Sequence, residues 1–142
     1  MSDELSKAQY EALAEFRYQI RRFQRFSEEV ARAAELEPQQ HQLLLAVKGA
    51  PDGQLTIGGV AERLQIQHHS AVELVARAEA RGLVNRYRGE IDRRQVFVTL
   101  TEAGTTALQE LSAAHHREMQ TAAPELIRIL QRIIAKDSPR VS

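Results

Sequence analysis

The chain contains no cysteine and no tryptophan, and only 5% of its 142 residues are aromatic. The absence of cysteine excludes disulfide bonds, thiol-based redox sensing and cysteine-ligated metal sites. No run of about 18 apolar residues is present, so we predict no membrane-spanning helix and no membrane partner. The opening Met-Ser-Asp-Glu lacks the basic start and apolar stretch of a secretory signal. These absences together predict a cytoplasmic protein.

Neither sign of charge is in excess, because 19 basic residues balance 19 acidic residues. A net charge of zero argues against a general attraction to nucleic acids. The charges are nevertheless unevenly distributed, and basic residues dominate between positions 77 and 94. The charged residues there are Arg77, Arg81, Arg86, Arg88, Arg93 and Arg94, against Glu79, Glu90 and Asp92. A local basic surface on a neutral protein is typical of a DNA-binding protein whose remaining surface repels DNA.

Helical periodicity covers most of the chain. No glycine or proline occurs from Leu5 to Glu35, and apolar residues recur there every three or four positions, which predicts one long amphipathic helix. Pro38 suits the first turn of a second helix. A short third helix is predicted from an N-cap at Thr56 to Leu64.

A fourth helix is predicted after the three-residue turn at 65–67. It begins at about His68 or Ser70 and ends near Arg81, with Gly82 as the residue that terminates it. Ser70 and Glu73 stand at the spacing of a capping box, which we take as the better explanation for Glu73. Two short helices joined by a tight turn are a helix-turn-helix motif.

The segment from 84 to 100 is typical of a β-hairpin, because residue types alternate with a period of two at 84–88 and again at 96–100. Its loop carries Asp92, Arg93 and Arg94. Thr101 is predicted to cap a further helix, and Pro124 to begin a separate, strongly apolar last helix. A hairpin directly after a helix-turn-helix is the element order of a winged helix-turn-helix. The predicted fold class is mainly α with a small β-hairpin wing.

These motifs resemble the multiple antibiotic resistance regulator (MarR) family of bacterial transcription factors. The resemblance is specific from about Leu55 to Gly104, and the entry to the second helix at 37–40 also matches. The segments that carry it are Leu55–Ile57, Val60–Leu64, Ser70–Val72, Glu79–Val84 with Arg86, and Asp92–Arg94 through Leu100, Thr101 and Gly104.

Membership of that family implies an α-helical homodimer whose N- and C-terminal helices form the dimerisation region. The corresponding division is 1–36 for the N-terminal dimerisation helix, 37–104 for the DNA-binding lobe and 105–142 for the C-terminal dimerisation helices. It also implies a pseudo-palindromic operator in double-stranded DNA. Many such proteins release it when a small phenolic, lipophilic or carboxylic effector binds.

A recognition helix enters the major groove by its N-terminal end. This predicts that Gln67, His68, His69 and Ser70 lie nearest the bases, with Arg77 further along. In the wing, Asp92 can brace one arginine by a charge-assisted pair, which leaves the other free to enter the minor groove. By resemblance the groove-reaching role is assigned to Arg94, with Arg93 beside it. Residues predicted to contact phosphates are Arg86, Arg88 and Thr56, the last at a helix N-terminus.

A surplus of apolar residues at both ends of the chain exceeds what the small central lobe can bury, which favours a core shared between subunits over an intramolecular one. The predicted interface residues are Leu5, Leu13, Phe16, Leu126, Ile127, Leu130, Ile133 and Ile134. The candidate effector pocket is assigned by family analogy and combines polar groups with an apolar lining. Its residues are Tyr18, Arg22, Phe26 and His41.

Three alternatives remain open at this stage. A zinc- or ligand-responsive regulator could use histidines, namely His41, His68, His69, His115 and His116, although adjacent histidines chelate one ion poorly. A winged-helix protein-interaction module could keep the fold without binding DNA. An enzyme is disfavoured because no nucleophile elbow, phosphate-binding glycine loop or metal-ligand pair is present. The favoured function is a DNA-binding repressor released by an effector, with no catalytic residue, metal or cofactor.

Overall fold

The computed structural model describes residues 4–135, and within them five α-helices and three short β-strands follow one another. In chain order they are α1 (Lys7–Ala33), α2 (Pro38–Lys48), β1 (Gln54–Thr56), α3 (Ile57–Leu64), α4 (His68–Ala80), β2 (Val84–Arg88), β3 (Val96–Leu100) and α5 (Glu102–Ile134). The fold is therefore mainly helical with a small antiparallel sheet, as predicted. None of the helices in this part of the chain combines the length and apolar character needed to cross a bilayer.

The chain divides into two units. The winged-helix unit comprises residues 28–114, and the terminal-helix unit comprises, over the described residues, 4–27 and 115–135. The sequence-based division lay instead at 36/37 and 104/105. The boundaries of the units fall inside α1 and α5 because Ala31, near the end of α1, and Leu108 and Leu111, near the start of α5, are buried in the core of the winged-helix unit.

The core of the winged-helix unit is built from the inner faces of its helices and sheet. Its buried members are Ala31, Leu36, Leu43, Leu44, Val47, Ile57, Val60, Ala71, Leu74, Val75, Ala78, Leu83, Val84, Val98, Leu108 and Leu111. Aliphatic burial of this kind is the main favourable contribution to folding. It fixes α3, α4 and the hairpin relative to one another within this unit, and so positions the residues on its surface.

Local capping interactions begin or end three of the helices, and those at Thr56 and Gly82 were predicted from the sequence. Thr56 is the N-cap of α3, and its hydroxyl oxygen accepts a hydrogen bond from the backbone N–H of Gly59 at 3.0 Å. Glu37 and Gln40 form a capping box at the start of α2. Gly82 follows α4 with a φ of +74°, a conformation that glycine adopts without a steric cost.

The three strands form one antiparallel sheet in the order β1-β3-β2. β3 lies in the middle, so Val98 is paired with Leu55 on one side and with Arg86 on the other. On the exposed part of the hairpin, the rings of Tyr87 and Phe97 stack with their centroids 5.6 Å apart. This aromatic cross-strand pair stabilises the hairpin close to its loop.

The predicted capping box at the start of α4 is wrong. The N-cap is Gln67, whose backbone is extended (φ −71°, ψ 153°), and the helix begins at His68. Ser70 is therefore the third helical residue and cannot satisfy the first N–H groups of the helix as an N-cap does. Glu73 lies on an exposed position of the helix.

The predicted start of a separate last helix at Pro124 is also wrong, because α5 runs without interruption from Glu102 to Ile134. Thr101 caps its beginning, accepting a hydrogen bond from the Gly104 N–H at 3.0 Å. An interior proline removes one backbone hydrogen bond and usually breaks or kinks a helix. Here Ile129, beyond the proline, is buried within the terminal-helix unit. Its packing offsets the local cost.

Candidate nucleic-acid interface

The N-terminal turn of α4 presents polar side chains on a rigid support. Gln67, His68 and His69 are exposed, and Ser70 is half-buried. The opposite face of the helix is fully buried in the core. Its residues are Ala71, Leu74, Val75 and Ala78. A helix held in this way keeps its first turn in one place while the polar side chains remain available for hydrogen bonds to a partner.

The wing loop holds one arginine in a fixed, solvent-facing position. One carboxylate oxygen of Asp92 accepts hydrogen bonds from the backbone N–H of Arg94 at 3.0 Å and from its Nε at 3.2 Å. The Arg94 side chain nevertheless remains 91% exposed. The carboxylate thus fixes the base of the guanidinium group while most of the side chain faces solvent.

This geometry corrects the predicted roles of Asp92 and the two arginines in the wing. Asp92 was expected to brace one arginine and leave the groove-reaching one free, but the arginine that it holds is Arg94. The cause is local, because an aspartate side chain readily binds the backbone N–H two residues later, which brings the two side chains together. Arg93 is exposed and has no side-chain partner within the described part of the chain. Its backbone carbonyl accepts a hydrogen bond from Arg88 Nη1 at 3.2 Å.

Arg86 is engaged in a local ion pair that sequence analysis missed. Glu79 Oε1 accepts from Arg86 Nη2 at 2.8 Å and from Nε at 3.1 Å, and Oε2 accepts from the Arg86 backbone N–H at 3.2 Å. The hydrogen bonds from the Arg86 side chain lower the pKa of Glu79 below its ordinary value, against a smaller opposing effect of desolvation. The pair joins the last turn of α4 to β2.

Two further arginines, Arg77 in α4 and Arg81 directly after it, bind residues around the start of α2. Arg77 Nε lies 3.2 Å from Glu37 Oε2. Arg81 donates to Gln40 Oε1 at 2.8 Å and to the Glu35 carbonyl oxygen at 2.7 Å. These partners are about 40 residues apart in sequence, so no local pattern could have revealed them. The charge of Arg77, like that of Arg86, is compensated by a carboxylate.

The sequence model of the MarR family matches residues 34–95, which span α2 through the wing loop. The match to this family therefore covers residues 34–95 and does not include the terminal helices. No curated protein matches the chain in sequence.

Solved MarR-type structures share the fold over most of the chain. The chain is similar to AbsC, a MarR family transcriptional regulator from Streptomyces coelicolor, with a TM-score of 0.76, 19% identity and coverage of 92% of each chain. It is similar to a mutant MarR from E. coli complexed with operator DNA, with a TM-score of 0.66, 16% identity and coverage of 84% of this chain and 90% of that one. It is also similar to a mutant S. aureus MepR bound to an oligodeoxyribonucleotide (TM-score 0.64, 20% identity, 85% and 84% coverage).

The candidate effector residues are distributed over both units of the chain. In the terminal-helix unit, the Arg22 guanidinium lies 5.7 Å from the Tyr18 ring centroid, and Phe26 makes an edge contact with His115. His115 Nε2 also lies 2.8 Å from Ser27 Oγ, in a hydrogen bond. His41 belongs to the winged-helix unit, where it is buried. Tyr18 and Arg22 are thus brought together, whereas Phe26 packs on a histidine that sequence analysis had assigned to possible zinc ligands.

Most of the predicted interface residues keep a large exposed area in the single chain. Leu5, Leu13, Ile127, Leu130, Ile133 and Ile134 are exposed, and Phe16 and Leu126 are half-buried. Ile127, Leu130 and Ile134 recur at spacings of three and four, which places them on one side of α5. Ile129, which sequence analysis did not single out, is the buried member of this segment.

The ion pair between Glu79 and Arg86 predicts a specific pH dependence of stability for the winged-helix unit. Because the pKa of Glu79 is lowered in the folded state, its contribution is complete above the unfolded-state pKa, about 4.3 for glutamate, and is lost as the pH falls through the folded-state pKa. Glu79→Gln should therefore lower the urea midpoint of unfolding at pH 7. It should also narrow the difference between the urea midpoints measured at pH 7 and at pH 3. Glu90→Gln is the matched control, since Glu90 makes no hydrogen bond within residues 4–135. Equal pH profiles for Glu79→Gln and the parent would contradict the assignment.

Proposed function

We propose that this chain is a transcription regulator that binds double-stranded DNA as a homodimer, through the first turn of α4 and the wing. The observation that carries the proposal is the exposed Arg94 held by Asp92 at the end of the hairpin. An arginine whose orientation is fixed before binding loses less conformational freedom on entering a narrow minor groove. A surface kept charged only for solubility has no need of such bracing.

The proposed contacts divide between the two grooves and the phosphates. Gln67, His68, His69 and Ser70 are proposed to contact base edges in the major groove, where glutamine can pair bidentately with adenine. Two arginines are predicted to bind phosphates. Arg86 is paired with Glu79, whereas Arg88 has no carboxylate partner among residues 4–135. Thr56 uses its hydroxyl oxygen as a cap acceptor and keeps the hydroxyl proton to donate to a phosphate.

The proposed homodimer follows from the exposed apolar residues of the terminal-helix unit. Exposed large aliphatic side chains at one side of a helix favour a protein partner. A second copy of the chain also supplies a second recognition helix, and two of these about 34 Å apart match one turn of a pseudo-palindromic operator.

The finer proposal is a repressor that a small phenolic or lipophilic effector releases from DNA. Its support is the family resemblance, together with the adjacent Tyr18 and Arg22, which offer an aromatic surface and a cation. Among residues 4–135, no three histidine, aspartate or glutamate side chains are close enough to hold a metal ion, so the zinc alternative has no ligand set there.

A mobility-shift titration tests the proposed function. The probe is the intergenic region upstream of the gene that encodes this chain, and the competitor is an unrelated fragment of equal length. We expect the protein to bind saturably as a dimer and to prefer the upstream region clearly. Its affinity should fall as the salt concentration rises. Phenolic carboxylates added to the complex test effector release. Absence of binding to either fragment at low salt would contradict the proposal and favour a protein-interaction module.

A further inference from the structure

The tip of the wing exposes a large aliphatic side chain. Ile91 is fully exposed, between Glu90 and Asp92. Every other large hydrophobic residue that the structure leaves exposed in the described range keeps part of its surface covered. An isoleucine in water forgoes the favourable burial of its side chain, and a solvated loop gains nothing from it. Ile91 also lies on the same loop as Arg94, the arginine proposed to enter the minor groove, so a partner of Arg94 would be close to it.

Hydrogen bonds within the loop hold the position of Ile91. The Gly89 N–H donates to the Gln95 carbonyl oxygen at 2.9 Å, and the Gln95 N–H donates to the Asp92 carbonyl oxygen at 3.1 Å. The Gly89 backbone packs so closely on the same carbonyl oxygen that a Cβ would come within 2.6 Å of it. Ile91 thus lies on a closed loop, one residue before the aspartate that braces Arg94.

We propose that Ile91 packs against the deoxyribose walls of the minor groove when Arg94 enters it. This inference rests on the proposed DNA-binding function and adds an apolar contact to it. The walls of the minor groove are lined by the C–H groups of the sugars, and proteins that bind this groove frequently insert apolar side chains such as isoleucine or leucine into it, between base steps. The present proposal differs in that Ile91 contacts the sugars. The charge nearest to Ile91 on one side is already compensated, because Asp92 is paired with Arg94.

Glu90 is the unfavourable neighbour in this arrangement. It is exposed and has no bonded partner in the described part of the chain, so it brings a negative charge close to the phosphates. Ile91 separates Glu90 from the Asp92–Arg94 pair by one residue. An apolar contact at Ile91 therefore contributes binding free energy that offsets the repulsion between Glu90 and the phosphates.

The test compares Ile91→Ser with the parent by fluorescence anisotropy on the upstream duplex, over a series of salt concentrations. Loss of the buried aliphatic group should weaken binding about tenfold. The slope of log affinity against log salt should not change, because no charge is removed. Ile91→Val should retain most of the affinity. Leu45→Ser, which removes an exposed leucine from α2, is the matched control and should bind as the parent does.

Hydroxyl-radical footprinting gives an independent readout, since the radical attacks deoxyribose C–H groups that a packed side chain covers. Ile91→Ser should lose protection at the minor-groove sugars nearest the wing and keep the remaining footprint. Parent-like affinity and footprint for Ile91→Ser would overturn the inference and leave the proposed function intact. A weaker affinity with a changed salt slope would also overturn it, because Ile91 would then act through the arginines. Failure of the parent to bind DNA would remove both proposals.

Discussion

Arg94→Ala is expected to weaken operator binding by about 1 to 3 kcal/mol, or roughly 5- to 150-fold, and to leave the dimer intact. The Arg94 guanidinium is the group that the wing presents to solvent in a fixed orientation, through two hydrogen bonds to one oxygen of Asp92. The alanine variant loses both the charge and this preorganisation. Anisotropy titration on the operator measures the affinity, and sedimentation measures the dimer.

Arg93→Ala is the matched control for this variant, because Arg93 is an exposed arginine of the same loop that has no side-chain partner in the described residues. Each variant removes one positive charge and should reduce the salt slope by about one if that charge contacts a phosphate. Only Arg94→Ala should also reduce the preference for the operator over unrelated DNA. If Arg94→Ala binds like the parent, the assignment of the wing arginine is wrong.

Leu130→Asp should separate the proposed dimer into monomers. Leu130 is exposed in the single chain, so the substitution should leave the fold of the subunit unchanged. In a dimer interface, however, it would bury a carboxylate without a partner in each subunit. An uncompensated buried charge costs about 3 to 5 kcal/mol, which raises the dimer Kd by at least roughly 150-fold. Sedimentation velocity over a concentration series measures the change, and operator affinity should fall with it because a monomer binds one half-site.

Thr121→Asp places the same charge at another exposed position of α5, which the predicted interface does not include. It should leave the dimer and the operator affinity unchanged. A Leu130→Asp protein that remains a dimer at low concentration would mean that the exposed apolar residues of α5 lie outside the interface. A Leu130→Asp monomer that still binds the full operator as tightly as the parent would separate DNA binding from dimerisation.

Helix ends and strands that depend on interactions between residues close in sequence were predicted correctly. Thr56 begins α3 because its hydroxyl satisfies an N–H three residues later, and Gly82 ends α4 because glycine adopts positive φ. The alternation at 84–88 and 96–100 defined both strands of the hairpin.

Errors arose where two local signals competed and tertiary packing decided between them. Ser70 and Glu73 have the spacing of a capping box, yet α4 begins two residues earlier at His68. Pro124 and the apolar residues after it are typical of a helix start, yet α5 continues through Pro124. In both cases the burial of the neighbouring apolar residues, such as Ala71 and Ile129, outweighs a local preference of a few kcal/mol at most.

The amino-acid sequence by itself determined the order of the helices and strands, the winged helix-turn-helix and the two ends of the chain that carry surplus apolar residues. It did so because hydrophobic periodicity and capping act over a few residues. Only the tertiary structure decided which arginines are compensated, since Glu37 reaches Arg77 across 40 positions and Glu79 reaches Arg86 across a turn of the chain. The contact between Asp92 and Arg94 is instead local, because the aspartate accepts from the backbone N–H two residues later. An ion pair depends on distances of a few ångströms between side chains, which only the packed core sets.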